Sequence, residues 1–119
     1  MINVGMVGAG KIVETFHLPA WAAVPDAHVT AICDPRVDAA QELASKFSIA
    51  KVYPSVEAMV LDGGLQAVDI CSPHRLHREH AVMALEVGLH CIIEKPFATS
   101  AADAQAIEDL ARARDRVVM

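Results

Sequence analysis

The feature that most constrains the fold of this chain is a glycine-containing turn near its start. An apolar run at residues 2–7 stops at Gly8-Ala9-Gly10, and a helical stretch follows from about residue 11 to residue 24. Glycine permits a sharp turn and a close approach to the backbone, and the free N–H groups of the following helix attract negative charge. The pattern predicts a cradle for phosphate groups; the alternative is an ordinary tight turn. The residues assigned to the cradle are Gly8, Gly10, Lys11 and Ile12.

Apolar runs and helical segments alternate along the rest of the chain. The runs are continuously apolar, as expected for strands covered by helices on both faces of a sheet. Strand–helix alternation predicts a single domain over residues 1–119, a doubly wound, mostly parallel α/β sheet. Further strands are predicted at 28–33, 51–53, 67–71 and 90–93, with a last one starting at 117–119. Helices are predicted at 35–47, after Ser55, at 76–87 and at 100–114.

Composition and charge exclude several classes of protein. Hydrophobic residues make up 54 % of the chain, too many for a disordered segment, and the net charge of −5 argues against a nucleic-acid partner. No apolar run approaches the roughly 20 residues of a membrane span, and no basic region opens a signal peptide. We therefore expect a cytoplasmic protein with no membrane partner. Its three cysteines are interpreted as reduced core residues: Cys33, Cys71 and Cys91.

An acidic residue ends the second predicted strand. Asp34 follows Gly10 by about 24 residues, near the spacing of about 20 at which an acid binds the adenosine ribose of a dinucleotide. This pattern predicts a Rossmann fold with NAD as cofactor. Arg36 could pair with a 2′-phosphate, so NADP stays open. In the alternative reading, Asp34 only caps the next helix, with Pro35 as its first residue.

Two later segments resemble a known family. They are Val68-Asp69-Ile70-Cys71-Ser72-Pro73-His74-Arg75-Leu76-His77 and Gly88-Leu89-His90-Cys91-Ile92-Ile93-Glu94-Lys95-Pro96. With the glycine turn and His17-Leu18-Pro19-Ala20, they resemble the N-terminal domain of the glucose–fructose oxidoreductase, inositol dehydrogenase and rhizopine-catabolism (Gfo/Idh/MocA) family over essentially the whole chain. Three positions depart from the usual pattern: Val13 stands for a small residue, Ser72 for threonine and His74 for asparagine.

The resemblance implies an NAD(P)-dependent oxidoreductase that transfers hydride between nicotinamide and a hydroxyl carbon of a sugar, inositol or similar polyol. It implies that Lys95 is catalytic, lying beside the nicotinamide and the reacting hydroxyl. An ammonium there stabilises the negative charge that develops on oxygen and can move the proton. The further cofactor contacts that the resemblance implies are Cys71, Ser72, Pro73, His74, His77, Glu94, Lys95 and Pro96.

Histidines are concentrated around the fourth predicted strand. His74, His77 and His80 lie close together, and the spacing of two of them could hold a metal ion. Nothing in the sequence requires a carboxylate to converge on them, so we predict no metal site. His77 is expected either to lie near the cofactor or to fix a loop, His80 to be structural or exposed, and His17 to position the first helix.

Members of the family carry a second domain that supplies substrate contacts and usually a catalytic histidine. The resemblance implies that this C-terminal substrate domain is absent from residues 1–119, so the chain alone should be inactive. An exposed edge at the last strand favours a homo-oligomer. Two alternatives stay open: a non-catalytic NAD-binding module or regulator, and, within the family, an NAD-dependent glycosidase.

Overall fold

The computed structural model describes residues 1–119, and its centre is one parallel sheet of five strands. The strands are β1 (Ile2–Val7), β2 (Ala27–Cys33), β3 (Lys51–Tyr53), β4 (Ala67–Ile70) and β5 (His90–Ile93). They lie in the order β3-β2-β1-β4-β5. The chain builds outward from β1 to β3 and then crosses back to add β4 on the other side of β1. This order confirms the predicted doubly wound α/β sheet of a Rossmann fold.

Helices cover both faces of the sheet. The helices are α1 (Leu18–Ala22), α2 (Val37–Phe47), α3 (Val56–Leu61), α4 (His77–Glu86) and α5 (Ala101–Ala113). A π-helical turn, Val13–His17, leads into α1, and a 3₁₀ turn, His74–Leu76, leads into α4. No helix combines the length and the apolar character needed to cross a membrane.

Each face of the sheet has its own hydrophobic core. Met6 packs with residues of α1 and α2, whereas its neighbour Val7 packs with residues of α3, α4 and α5. Successive strand residues point to opposite faces, so two adjacent buried residues require cover on both sides. Val13 is fully buried on the α1 side and opens the π-helical turn, which is wider than an α-helical turn. The structure thus accommodates this bulky residue where a small one is usual.

Most predicted boundaries hold to within one or two residues. Strands β1, β3 and β5 match their predictions, and β4 ends one residue early, at Ile70. The predicted caps also form: the Oγ atoms of Ser55 and Ser100 each accept a backbone N–H bond of 3.1 Å at the start of α3 and α5. At the end of the chain, Val118 pairs with Cys91 of β5 in parallel, as the predicted start of a further strand requires.

The alternative role of Asp34 as the cap of α2 is wrong. The helix begins at Val37, and its N-cap residue is Arg36, not Asp34. One Asp34 oxygen, Oδ1, accepts the Arg36 N–H at 2.8 Å, but the other accepts the N–H of Ala9 at 2.9 Å. Because the glycine turn takes one carboxylate oxygen, Asp34 stays at the sheet edge instead of capping the helix.

The structural need for glycine differs between the two glycines of the turn. Gly8 has φ +108°, and a Cβ atom there would lie 2.9 Å from the carbonyl oxygen of Cys71. Gly10 has no atom within 4 Å of the place that its Cβ would occupy. Gly8 is therefore required by the fold, whereas Gly10 leaves open space above the backbone.

We expect Gly8→Ala to destabilise the chain and Gly10→Ala to leave its stability unchanged. The left-handed backbone of Gly8 alone should cost about 1–3 kcal/mol with alanine, before the clash with Cys71 is counted. Gly10→Ala should change the free energy of unfolding by less than about 0.5 kcal/mol. Urea denaturation of both variants measures the difference. Equal effects of the two substitutions would contradict this account of the turn.

Candidate cofactor-binding cleft

A cleft of about 650 Å³ opens at the carboxyl ends of β1, β2 and β4, where the strand order reverses. Its volume is typical of small-molecule sites, which span roughly 300–1,000 Å³. Doubly wound sheets bind ligands at this position because the loops that leave neighbouring strands diverge there. The predicted site residues that line the cleft are Gly8, Gly10, Asp34, Arg36, Cys71, Ser72, Pro73 and His74.

Asp34 joins the glycine turn to the wall of the cleft. Its side chain is mostly buried, and it accepts three N–H bonds, from the backbone of Ala9, the backbone of Arg36 and the Nε atom of Arg36 at 3.3 Å. A carboxylate offers about four lone-pair sites, so one acceptor position remains for a ligand hydroxyl. The Arg36 side chain is largely exposed beside it.

The loop after β4 and the start of α4 form the opposite wall, where they hold a pair of residues that the sequence did not predict. The Oγ atom of Ser72 lies 2.7 Å from Nδ1 of His80, and both residues line the cleft. Burial lowers the pKa of His80, so its neutral ring accepts the bond from the Ser72 hydroxyl. His80 lies in the first turns of α4, which start at this edge of the sheet. Its position near the predicted start of this helix could have indicated that His80 lies in the wall of the cleft.

His77 connects two loops from a fully buried position. Its Nδ1 lies 2.8 Å from the carbonyl oxygen of Pro96, and its Nε2 lies 2.9 Å from that of Ser72. Both ring nitrogens are therefore occupied by the protein. Of the two expected roles, the geometry favours fixing the loops over touching a ligand.

The segment after β5 lies beside the cleft and does not line it. Glu94 donates its N–H to the carbonyl oxygen of Ile70 at 2.9 Å, which holds the segment against the end of β4. The Lys95 side chain is exposed, and its backbone N–H donates to Oε1 of Glu94 at 3.1 Å. The predicted site residues outside the lining are Lys11, Ile12, His77, Glu94, Lys95 and Pro96.

A partly buried ionic cluster lies behind this segment. The side chain of Asp69 in β4 is 2 % exposed, and its Oδ2 lies 2.8 Å from Nδ1 of His17 and accepts the Trp21 Nε1–H at 2.8 Å. The other ring nitrogen of His17, Nε2, lies 2.7 Å from Oε2 of Glu94. His17 therefore joins β4 to the segment that carries Lys95. From the sequence, His17 was expected to position the first helix, and no role was predicted for Asp69.

Charges inside the cluster shift the titration of both partners. Burial disfavours the charged ring of His17, but the carboxylates of Asp69 and Glu94 outweigh burial and raise its pKa. The hydrogen bond from His17 lowers the pKa of Glu94 against the effect of its burial, with help from the Lys95 N–H. The cluster therefore favours the charged form of the His17 ring to a higher pH than an isolated imidazole.

Cys33 and Cys91 are protonated core groups, and Cys71 is a protonated, partly buried thiol at the cleft. Burial raises the pKa of Cys33 and of Cys91 to about 12. Burial and the Asp69 charge also raise the pKa of Cys71. Potential ligand atoms of His17, Cys71 and Glu94 lie within 4.8 Å of one another, but hydrogen bonds within the cluster already occupy both ring nitrogens of the histidine.

A family model described as an oxidoreductase family with an NAD-binding Rossmann fold, Gfo/Idh/MocA, matches residues 2–119. The chain is 37 % identical to D-glucoside 3-dehydrogenase of Escherichia coli (strain K12) over 117 residues, which cover 98 % of this chain and 33 % of that enzyme. It is 31 % identical to scyllo-inositol 2-dehydrogenase (NADP(+)) of Bacillus subtilis (strain 168), covering 100 % of this chain and 36 % of the relative. The chain thus spans about a third of the length of these curated relatives.

Solved structures agree with this match. The 3-ketoreductase KijD10 of Actinomadura kijaniata, in complex with TDP-benzene and NADP, superposes with a TM-score of 0.94 at 33 % identity over 99 % of this chain and 37 % of that one. An oxidoreductase of Agrobacterium radiobacter, in complex with NAD+, L-tartaric acid and magnesium, superposes with a TM-score of 0.91 at 30 % identity. The match covers 99 % of this chain and 34 % of that one.

We expect the His17–Glu94 pair to stabilise the fold most between about pH 4.5 and pH 6.5. The raised pKa of His17 means that its contribution is complete below the usual value of 6.5 and is lost as the pH rises through the folded value. The lowered pKa of Glu94 means that its contribution is complete above 4.5 and is lost as the pH falls through the folded value.

Urea denaturation of the wild-type chain and of His17→Gln across this pH range measures the contribution of the pair to the free energy of unfolding. The difference in the free energy of unfolding should form a maximum inside the window and shrink on both sides. A difference that is constant with pH, or that grows towards alkaline pH, would show that the ring is not charged in the folded chain.

Proposed function

This chain belongs to the Gfo/Idh/MocA oxidoreductase family, and on that premise we propose that it is the cofactor-binding part of a sugar or polyol dehydrogenase. The reaction would move a hydride between nicotinamide and a hydroxyl-bearing carbon. The observation that carries the proposal is the cleft at the reversal of strand order, with the glycine turn and Asp34 on its surface. The relatives support the substrate class, since their names give a D-glucoside and an inositol as substrates.

The residues present fit a dinucleotide. Gly10 leaves open the space that a Cβ atom would fill, so phosphates can approach the backbone of residues 8–10. Asp34 keeps an acceptor position beside the turn, which suits a ribose hydroxyl. Arg36 and the Ser72–His80 pair supply polar groups on the two walls. In this assignment Gly8-Ala9-Gly10 binds the pyrophosphate and Asp34 the adenosine ribose.

Lys95 is the residue that we assign to proton transfer. The bound nicotinamide supplies the hydride chemistry. Removal of hydride from carbon requires the attached hydroxyl to lose its proton, and a nearby ammonium or amine can stabilise the oxygen and carry that proton. The exposed Lys95 side chain is free to reach such an oxygen, while its backbone is held through Glu94. The relatives are about three times as long as this chain, so we assign substrate contacts to sequence outside residues 1–119.

Gly10→Ala tests the phosphate cradle. We expect NAD affinity, measured by calorimetric titration, to fall by roughly tenfold or more, because the new methyl group would stand where backbone and phosphate approach each other. The new Cβ atom would have no other atom of the folded chain within 4 Å, so lost affinity would not reflect unfolding. Unchanged affinity in a folded variant would contradict the assignment of the pyrophosphate to this turn.

NAD should bind more tightly than NADP. The Asp34 carboxylate would repel a 2′-phosphate, and two like charges about 4 Å apart cost about 1 kcal/mol in water and more in a less polar site. Calorimetric titration of both cofactors measures the preference. Asp34→Asn should reduce the difference in affinity between NAD and NADP. Arg36→Ala should increase that difference, because it removes the cation that could pair with the 2′-phosphate. Equal or tighter binding of NADP by the wild-type chain would refute the preference.

A further inference from the structure

We propose that His17 is a positioning residue for Lys95, acting through Glu94. The ring of His17, clamped between Asp69 and Glu94, fixes the Glu94 carboxylate, and Glu94 fixes the backbone of Lys95. The inference rests on the proposed function only in taking Lys95 as the group that acts on the substrate oxygen.

The geometry fits a doubly protonated ring. Each ring nitrogen of His17 lies within 2.8 Å of a carboxylate oxygen, one from Asp69 and one from Glu94. An ionised carboxylate only accepts hydrogen bonds, so both nitrogens must donate, and a neutral imidazole has one N–H. The remaining titratable neighbour is the Cys71 thiol, whose Sγ lies 3.4 Å from Nδ1. The raised pKa of His17 agrees with this state.

One end of the cluster is rigid. Asp69 is 1 % exposed in the middle of the sheet, and Trp21 also donates to the oxygen that faces His17. His17 belongs to the π-helical turn that follows the glycine turn. The ring is thus held by β4 on one side and by the first helical segment on the other.

The other end controls the Lys95 segment. Both Glu94 carboxylate oxygens form contacts within the protein. Oε2 faces Nε2 of His17, and Oε1 accepts the Lys95 N–H at 3.1 Å. The backbone of Glu94 is anchored separately to Ile70 of β4. The protein therefore holds the backbone of Glu94 and the Lys95 N–H, and leaves the Lys95 side chain exposed.

Loss of the proton from His17 should weaken this hold. A neutral ring keeps one N–H, and the Asp69 oxygen retains Trp21 as a donor whichever nitrogen keeps the proton. When the remaining N–H points to Asp69, Glu94 loses its donor and becomes free to turn, since its side chain is 25 % exposed. The charged groups that raise the pKa of His17 against its burial are Asp69 and Glu94.

NMR spectroscopy of the ¹⁵N-labelled chain tests the proposal. We expect both ring nitrogens of His17 to be protonated at neutral pH, and the Lys95 amide resonance to titrate with the same midpoint as the ring. In His17→Gln the Lys95 amide should lose this titration and exchange with solvent roughly fivefold faster, the change in population expected when one hydrogen bond is lost. Glutamine keeps an N–H donor but has no titratable proton, so a merely structural role would leave the Lys95 titration in place.

Two variants serve as controls. Trp21→Phe removes a different donor to Asp69 and should keep the coupling between His17 and Lys95. Glu94→Gln removes the link and should lower the midpoint of the His17 titration; as a change at a partly exposed site, it keeps the test available if His17→Gln fails to fold. A neutral His17 ring at pH 7, a Lys95 titration that persists in His17→Gln and in Glu94→Gln, or ring resonances that move on addition of zinc ions would overturn the proposal.

Titration of the same samples with NAD separates this inference from the proposed function. A wild-type chain that shows the His17–Lys95 coupling but no NAD binding would refute the function and leave the positioning contact intact. Normal NAD binding without the coupling would refute the positioning role alone.

Discussion

The close approach of Gly8 to the carbonyl group of Cys71 sets the geometry on which the cleft depends. At this point the end of β1 meets the end of β4, with Gly8 donating its N–H to Cys33 of β2 at 2.8 Å and the Cys71 N–H donating to Val7 at 2.9 Å. The three strand ends are thereby tied together, and the loops that leave them diverge from a fixed base. A side chain at Gly8 would force the base apart, because the obstructing atom is backbone.

The glycine turn and the Lys95 segment share one structural support. The glycine turn opens the helical segment that contains His17, and His17 reaches across to Glu94, next to Lys95. On the other side, His77 ties the loop after β4 to the loop after β5 through two carbonyl oxygens. The glycine turn and the Lys95 segment are therefore linked through a few buried or partly buried polar contacts. Such contacts are costly to leave unpaired, so the linked loops should hold one arrangement.

Local sequence patterns were enough to predict most of the fold, because the strands are buried on both faces. Continuous apolar runs predicted the strands, and serine caps predicted the starts of α3 and α5. Long-range contacts were beyond such patterns. Asp69 was interpreted as part of an apolar strand, since its partner His17 is 52 residues away, and the π-helical turn at Val13 leaves no local signature. The role of Asp34 as a cap failed for the same reason, because its competing partner, Ala9, lies 25 residues earlier.

Mapping of NAD contacts by ¹H–¹⁵N NMR tests the central claim most directly. The account predicts that NAD shifts the amide resonances of Gly8, Gly10, Asp34 and residues 71–74, at the carboxyl ends of the strands. Resonances at the opposite edge, where Asn3 and Thr30 line a small cavity of about 170 Å³, should stay unchanged. Perturbations confined to that opposite edge, or none at saturating NAD, would contradict the assignment of this cleft to the cofactor.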